Sequence, residues 1–156
     1  KRTASINFGS TCLNTTSYAA SKSAFLQLLY SLSEEEKLKI IYSRIFSAYG
    51  EGQNENNFWP ALKKAALSGK DFNMTQGEQI RDFIHVNEVA KKLVSQLKKI
   101  EEIPEGISLK NVGSGMGISL KDFALKNWVK WNARGKIKFG SIGYRTNEMK
   151  RFVSKI

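Results

Sequence analysis

Apolar residues along this chain follow two alternating rhythms. Between Tyr18 and about Leu32, the residues Ala24, Phe25, Leu28, Leu29 and Leu32 recur at the spacing of one helix face. Ser17 stands just before this run and is the expected N-cap. Ser33-Glu34-Glu35-Glu36 predicts a polar connection or a second short helix. Lys39–Phe46 (KIIYSRIF) is a continuous apolar run rich in β-branched residues, which predicts a buried strand. Tyr49–Asn57 sets glycines among polar residues and predicts a loop. Phe58–Leu67 returns to helical spacing, with Pro60 in the first turn, where no donor is lost. Gly69 ends it.

The alternation continues to the end of the chain. Phe72–Met74 predicts a short strand. Asn87 is the expected cap of a helix from Glu88 to about Ile100, with acids early and lysines late to suit its dipole. Pro104-Glu105-Gly106 reads as a turn and Ser108–Val112 as a strand. Ser119 caps a helix to about Trp131, and Lys136–Phe139 is a last short strand. At the other end, Ser5–Phe8 (SINF) reads as a short strand before a turn at Gly9-Ser10-Thr11. Strands alternating with helices indicate an α/β chain without internal repeats.

Composition narrows the class without naming a function. The 156 residues suffice for one domain with its own core, and 41% hydrophobic content is ordinary for one. No run approaches the roughly 18 apolar residues of a membrane span, so no membrane association is expected. Lys1–Asn7 has no long apolar stretch, so no cleaved leader is expected. The single cysteine, Cys12, excludes an internal disulfide and predicts a reducing, cytoplasmic setting. The 25 Lys and Arg against 14 Asp and Glu give a net charge of +11. Such a surface attracts anions of any kind. The pairs Lys63-Lys64, Lys91-Lys92 and Lys98-Lys99 lie in helical patterns and read as solvated faces. No nucleic-acid-reading motif accompanies them, so no nucleic-acid partner is expected.

The clearest chemical signal is Tyr18-Ala19-Ala20-Ser21-Lys22. On a helix, this spacing puts the phenol and the ammonium on one face. An ammonium favours the ionised form of a nearby phenol, which then delivers a proton to a carbonyl oxygen, or removes one from an alcohol, more readily. A hydroxyl that bonds the same oxygen completes the set, and Ser10, or failing that Thr11, ends the preceding strand. Without its context the pair also reads as two ordinary residues of an amphipathic helix.

That context is a set of further segments. SINFGSTC, SYAASKSAF, KIIYSRIFSAYGEGQ, GEQIRDFIHVNEVAKKL and NVGSGMGISLKDFA, in this order and spacing, resemble the extended short-chain dehydrogenase/reductases. Within them they resemble the NAD-dependent epimerase/dehydratase group, which acts on sugar nucleotides. The likeness runs from about residue 5 to about residue 150. It implies a C-terminal part of a Rossmann-like doubly wound parallel sheet plus a small α/β substrate-binding domain. Residues 1–56 would be the partial Rossmann-like catalytic portion. Residues 57–156 would be mainly substrate-binding, with Arg81–Val86 returning to the Rossmann sheet.

The resemblance also implies roles. Tyr18 would be the acid/base, and Lys22 would bind the nicotinamide ribose and tune Tyr18. Ser10 or Thr11 would be the hydroxyl partner, and Phe46 would lie on the cofactor side. Ser47 stands where many relatives carry an asparagine that touches substrate. Arg81 and Arg145 match arginines that grip the nucleotide diphosphate, a task suited to a planar fork of donors. Arg81 would otherwise be a structural partner of Asp82 or Glu78. The cofactor would be NAD or NADP, and the partner a nucleotide-diphosphate sugar.

Other motifs have simpler readings. Gly113-Ser114-Gly115-Met116-Gly117 has GxGxG spacing rather than a dinucleotide fingerprint, and reads as a turn. His85, in an apolar run, reads as a packed residue. Phe123, Trp128 and Trp131 read as core. No acidic or histidine cluster has metal-ligand spacing, so no metal is expected. The glycine-rich phosphate loop of a Rossmann first unit is not among these residues. The likeness begins at the fifth strand of an enzyme of about double the length. Weak NAD(P) affinity for this chain alone is therefore expected, as is either a homodimer or a complement with an N-terminal half. No acid stands between Ser10-Thr11 and Tyr18, which argues against 4,6-dehydratase chemistry and leaves epimerisation or 4-keto reduction. A non-catalytic, partner-binding member of the same family is the alternative, with a basic nucleic-acid-binding module behind it.

Overall fold

The computed structural model describes residues 16–146 and 148–155. The expected strand at Ser5–Phe8, the hydroxyls of Ser10 and Thr11, and Cys12 lie outside the described residues. Helix α1 spans Ser17–Glu35. Its cap is Thr16 rather than Ser17. Thr16 has extended backbone and its Oγ1 accepts from the Ala19 N–H at 3.1 Å. The polar run after Leu32 continues this helix instead of leaving it. Ser33 is buried, and its hydroxyl donates to the Tyr30 carbonyl, so its polar group is satisfied within the helix. Lys37 then takes a left-handed conformation, φ 53°, and the Leu38 N–H closes back on the Ser33 carbonyl.

Strand β1 (Lys39–Ile45) follows at once and pairs in parallel with β6 (Gly106–Val112), from Lys39↔Gly106 to Ile45↔Val112. It was expected to be buried. It is half-buried, with Arg44 and Ile45 exposed, because β6 is its sheet neighbour on one side only among the described residues. Helix α1 packs on this pair. Ala19, Leu26, Leu29 and Tyr30 are its half-buried residues, while Phe25, Leu28 and Leu32 stay exposed.

Phe46 separates β1 from β2 (Ser47–Tyr49). Helix α2 (Phe58–Leu67), β3 (Phe72–Asn73), β4 (Ile80–Arg81) and β5 (Phe83–His85) come next. Helix α3 (Val86–Leu97) grows directly out of β5. Its cap is therefore the last strand residue, His85, whose Nδ1 accepts from the Asn87 N–H at 3.3 Å. Asn87, the expected cap, lies inside the helix. After β6 come β7 (Ile118–Ser119), α4 (Leu120–Lys130), β8 (Ile137–Lys138) and β9 (Arg151–Phe152). Ser119 caps α4 as expected, accepting from the Asp122 N–H at 2.9 Å.

The remaining strands form small sheets. β2 pairs in parallel with β5 and β3 in parallel with β8. β4 lies between antiparallel β7 and parallel β9. Helices α2 and α4 pack together over a core of Leu62, Ala66, Met74, Ala124 and Trp128. Phe123 is buried and stacks on Phe83 at 3.7 Å, and Trp131 packs at the edge of the core, so these aromatics are structural. A second cluster of Ile84, Val89 and Val112 ties β5, α3 and β6 together. No helix among the described residues is long and apolar enough to cross a membrane.

Leu62 has no exposed surface and lies at the centre of the first cluster. Leu62→Ala is expected to remove about 3 kcal/mol of stability by leaving a cavity. Urea unfolding monitored by tryptophan fluorescence measures the loss.

Candidate functional site

Three residues separate α1 from β1, so the helix must run antiparallel to the strand on which it packs. Its 19 residues span about 28 Å. The strand's 7 residues span about 23 Å. The first turn of α1 therefore stands at the carboxyl end of β1, where ligands of open parallel sheets bind. Tyr18 lies in that turn and Lys22 one turn further on. The Lys22 ammonium lies over the Tyr18 ring, 5.3 Å from its centre, so the two side chains share one face. Tyr18 is 73% exposed. The pair is open to whatever covers it.

At the same end of the parallel pair, Phe46 and Ser47 carry the chain from β1 to β2. The Phe46 N–H donates to the Val112 carbonyl and the Ser47 N–H to the Asp82 carbonyl. Ser47 is the register partner of Phe83. The Phe46 ring stacks on Phe152 of β9, with centroids 4.5 Å apart. Phe152 is in turn the register partner of Arg81. Phe46, Ser47 and Arg81 thus share one neighbourhood.

The Arg81 side chain is 18% exposed. Its Nη2 donates to Glu148 Oε1 at 2.8 Å and its Nη1 to the Ile80 carbonyl at 3.0 Å. The acid that pairs with Arg81 is therefore neither Asp82 nor Glu78. Glu78 meets the Tyr144 hydroxyl instead, at 3.4 Å. Glu148 reaches Arg81 from a turn that opens at Arg145, since its own N–H donates to the Arg145 carbonyl. Arg145, Glu148, Glu78, Gln79, Tyr144 and Lys150 line a cavity of about 270 Å3. Arg145 is exposed at this cavity, and Arg81 meets it through Glu148.

Behind these residues sits a carboxylate that the sequence reading treated only as a possible partner of Arg81. Asp82 is fully buried. Its Oδ1 accepts from the Ser114 N–H at 2.7 Å and from the Ser114 hydroxyl. Its Oδ2 accepts from the N–H groups of Gly115 and Ser154, at 3.0 and 3.2 Å, and from the Ser154 hydroxyl. Burial alone would raise its pKa. The hydroxyls of Ser114 and Ser154, with the loop N–H groups, outweigh that effect and hold it at about 2, from an ordinary 3.8. The glycine-rich segment is thus a turn, as expected, and its N–H groups enclose an internal carboxylate. A Cβ on Gly113 would collide with Asp82 Oδ2 and Ser154 Oγ, and Gly115 has φ 77°. No sequence pattern marks Glu148, Phe152 or Ser154, or the Ser114 hydroxyl as a partner of Asp82. An acid between Ile80 and Phe83, in a β pattern, was the available signal, because a buried carboxylate requires donors.

Comparison with known proteins follows this geometry. A family model described as the NAD dependent epimerase/dehydratase family matches residues 4–113. The CDP-abequose synthase of Salmonella typhimurium is 31% identical over 135 residues, covering 85% of this chain and 45% of that protein. A UDP-N-acetylglucosamine 4-epimerase from Methanobrevibacter ruminantium, solved with UDP-N-acetylmuramic acid, superposes with a TM-score of 0.80 at 24% identity. That match covers 100% of this chain and 50% of the epimerase. An epimerase from Methanothermobacter thermautotrophicus gives a TM-score of 0.81 at 20% identity, over 94% of this chain and 44% of that one. The chain spans about half the length of these relatives. The structural likeness is one of fold, an α/β chain with parallel strands of the Rossmann-like kind.

The Asp82 carboxyl fixes a pH dependence. Its folded pKa lies below its unfolded value, so its contribution is present above about pH 4 and is lost as pH falls toward 2. That contribution is about 2 kcal/mol. Urea unfolding of the parent chain between pH 5 and pH 2 should show a loss of this size. The same series on Asp82→Asn should lack it.

Proposed function

The chain belongs to the NAD-dependent epimerase/dehydratase family, and from that premise we propose that it carries the acid/base pair and much of the substrate site of a sugar-nucleotide epimerase or 4-keto-reductase. One observation carries this reading. A phenol and an ammonium share the open face of a helix turn at the carboxyl end of a parallel strand pair. Tyr18 moves a proton at the sugar's reacting oxygen, taking it from a hydroxyl or giving it to a carbonyl. Lys22 holds positive charge beside that phenol and offers donors to ribose hydroxyls. Ser10 or Thr11 supplies the hydroxyl that holds the reacting oxygen.

The substrate class is a nucleotide-diphosphate sugar. Arg145 lines the cavity and Arg81 stands behind Glu148 at its wall, and the two supply cationic forks for the diphosphate. Ser47, beside Arg81, faces the sugar end. NAD or NADP, when bound, supplies the redox chemistry by accepting and returning hydride. The residues present suit it: Tyr18 and Lys22 lie together and uncovered, and Phe46 offers an aromatic face at the end of β1. Residues 1–56 form the catalytic portion and residues 57–156 mainly the substrate portion, with Arg81–Val86 joining the two. The exposed stripe of Phe25, Leu28 and Leu32 on α1 offers a surface to a second copy or to the remaining half of the enzyme.

Tyr18→Phe removes the transferable proton and leaves the ring in place. In the protein that carries this chain, turnover of its nucleotide-diphosphate sugar should fall by about 10²–10⁴-fold. The thermal midpoint should stay unchanged, because the Tyr18 side chain is largely exposed. Turnover close to the parent's would remove Tyr18 from the mechanism.

A further inference from the structure

We propose that Asp82 is a positioning residue whose buried carboxylate holds Arg81 in the pose that presents its guanidinium to a diphosphate. The proposal rests on the reading of Arg81 as part of a nucleotide-diphosphate site.

Three segments of the chain meet at this carboxylate. The first is the strand itself, since Asp82 follows Arg81 directly. The second is the loop at Ser114 and Gly115, which leaves the carboxyl end of β6. The third is the C-terminal strap, held through Ser154. Ser154 lies two residues beyond Phe152, the register partner of Arg81, and the strap also carries Glu148, which holds Arg81 Nη2. The backbone of Asp82 adds two further ties. Its N–H donates to the Phe152 carbonyl at 3.1 Å, and its carbonyl accepts from Ser47 at 3.1 Å. The orientation of Arg81 therefore depends on where the strap lies, and the Asp82 carboxylate is one of its anchors, beside the pairing of β9 with β4.

The chemistry of this anchor is specific to a carboxylate. Each oxygen faces at least one backbone N–H, that of Ser114 at Oδ1 and those of Gly115 and Ser154 at Oδ2. Hydroxyls can rotate to accept, but these N–H groups cannot. An asparagine in either amide orientation sets its NH2 against a fixed donor. The packing at the carboxylate is close, because a Cβ on Gly113 would collide with both Asp82 Oδ2 and Ser154 Oγ.

The experiment compares Asp82→Asn with the milder Ser154→Ala, which keeps the charge and removes one donor. Leu62→Ala, in the separate α2–α4 core, is the control for stability loss alone. Nitrogen-15 NMR of the arginine side chains reports the Arg81 guanidinium without any ligand. Calorimetric titration with UDP, CDP and dTDP, each in turn, reports the grip. The expected result is that the Arg81 signals move in Asp82→Asn and in Ser154→Ala, and that affinity for whichever nucleotide binds falls about tenfold. Both readouts should be unchanged in Leu62→Ala. Should Asp82→Asn fail to fold, Ser154→Ala carries the test. Arg81 signals that stay in place in the folded variants overturn the positioning role. Arg81 signals that move in a chain whose parent binds none of the nucleotides uphold it and overturn the diphosphate reading instead.

Discussion

A carboxylate without exposed surface must be paired or hydrogen-bonded, and among the described residues Asp82 is held by hydrogen bonds, with no ion pair. Much of the site's arrangement follows from meeting that requirement. Donors that serve a carboxylate from two sides have to come from separate stretches of chain, so the loop after β6 and the strap that carries β9 both bend toward it. The loop can do so only if its first residue has no side chain, since a Cβ on Gly113 would occupy the space of the Asp82 carboxylate. The strap can do so only if it runs beside β4, and that is how Phe152 comes to lie opposite Arg81 and against Phe46. One buried charge thus determines which surface residues become neighbours.

Among the described residues no cation pairs with Asp82, although the chain carries 25 lysines and arginines. Burying a guanidinium beside the carboxylate would require desolvating a second charge, which a buried pair recovers only with excellent geometry. Backbone N–H groups need partners in any case. Arg81, adjacent in sequence, is left on the outer side of the strand. There it pairs with Glu148, a partly exposed acid at the rim of the cavity that Arg145 lines. Partial exposure keeps that pair in contact with water, so neither charge bears the full cost of burial.

Elements with their own periodic pattern were legible in the sequence. The helix at Phe58–Leu67 and the cap at Ser119 stand where apolar spacing and capping chemistry put them. The turn character of Gly113–Gly117 was legible from its spacing. The caps at Thr16 and His85 were not, because a cap depends on where the preceding extended segment ends, and β5 hands over to α3 without a linker. The two-residue strands were mostly invisible for a similar reason. β4 and β9 exist through their neighbours, with too few residues to show a period. At the site, local motifs such as Tyr18 with Lys22 could be read within one helix turn. Contacts such as Asp82 with Ser154, 72 residues apart, carry no local trace.

This division between local and distant signals follows from how each set of residues is held. Tyr18 and Lys22 need only two adjacent turns of one helix, so the pair can be read from five consecutive residues and sits on an exposed surface. Arg81 and Arg145 lie far apart in sequence, and each is held by tertiary structure, Arg81 between β7 and β9 and Arg145 in the turn that delivers Glu148. The two sets of residues therefore depend on different parts of the fold. A disturbance of the Asp82 node acts on Arg81 through the strap and β4, while the Tyr18–Lys22 pair, with its own cap at Thr16, has no hydrogen bond to that node among those described. The two regions meet at the carboxyl ends of β1 and β6, where the β1–β2 junction touches both the helix-bearing strand pair and the Asp82 carbonyl. Ser47 lies at that junction, which makes it the residue whose backbone joins the strand pair under α1 to the Asp82 node.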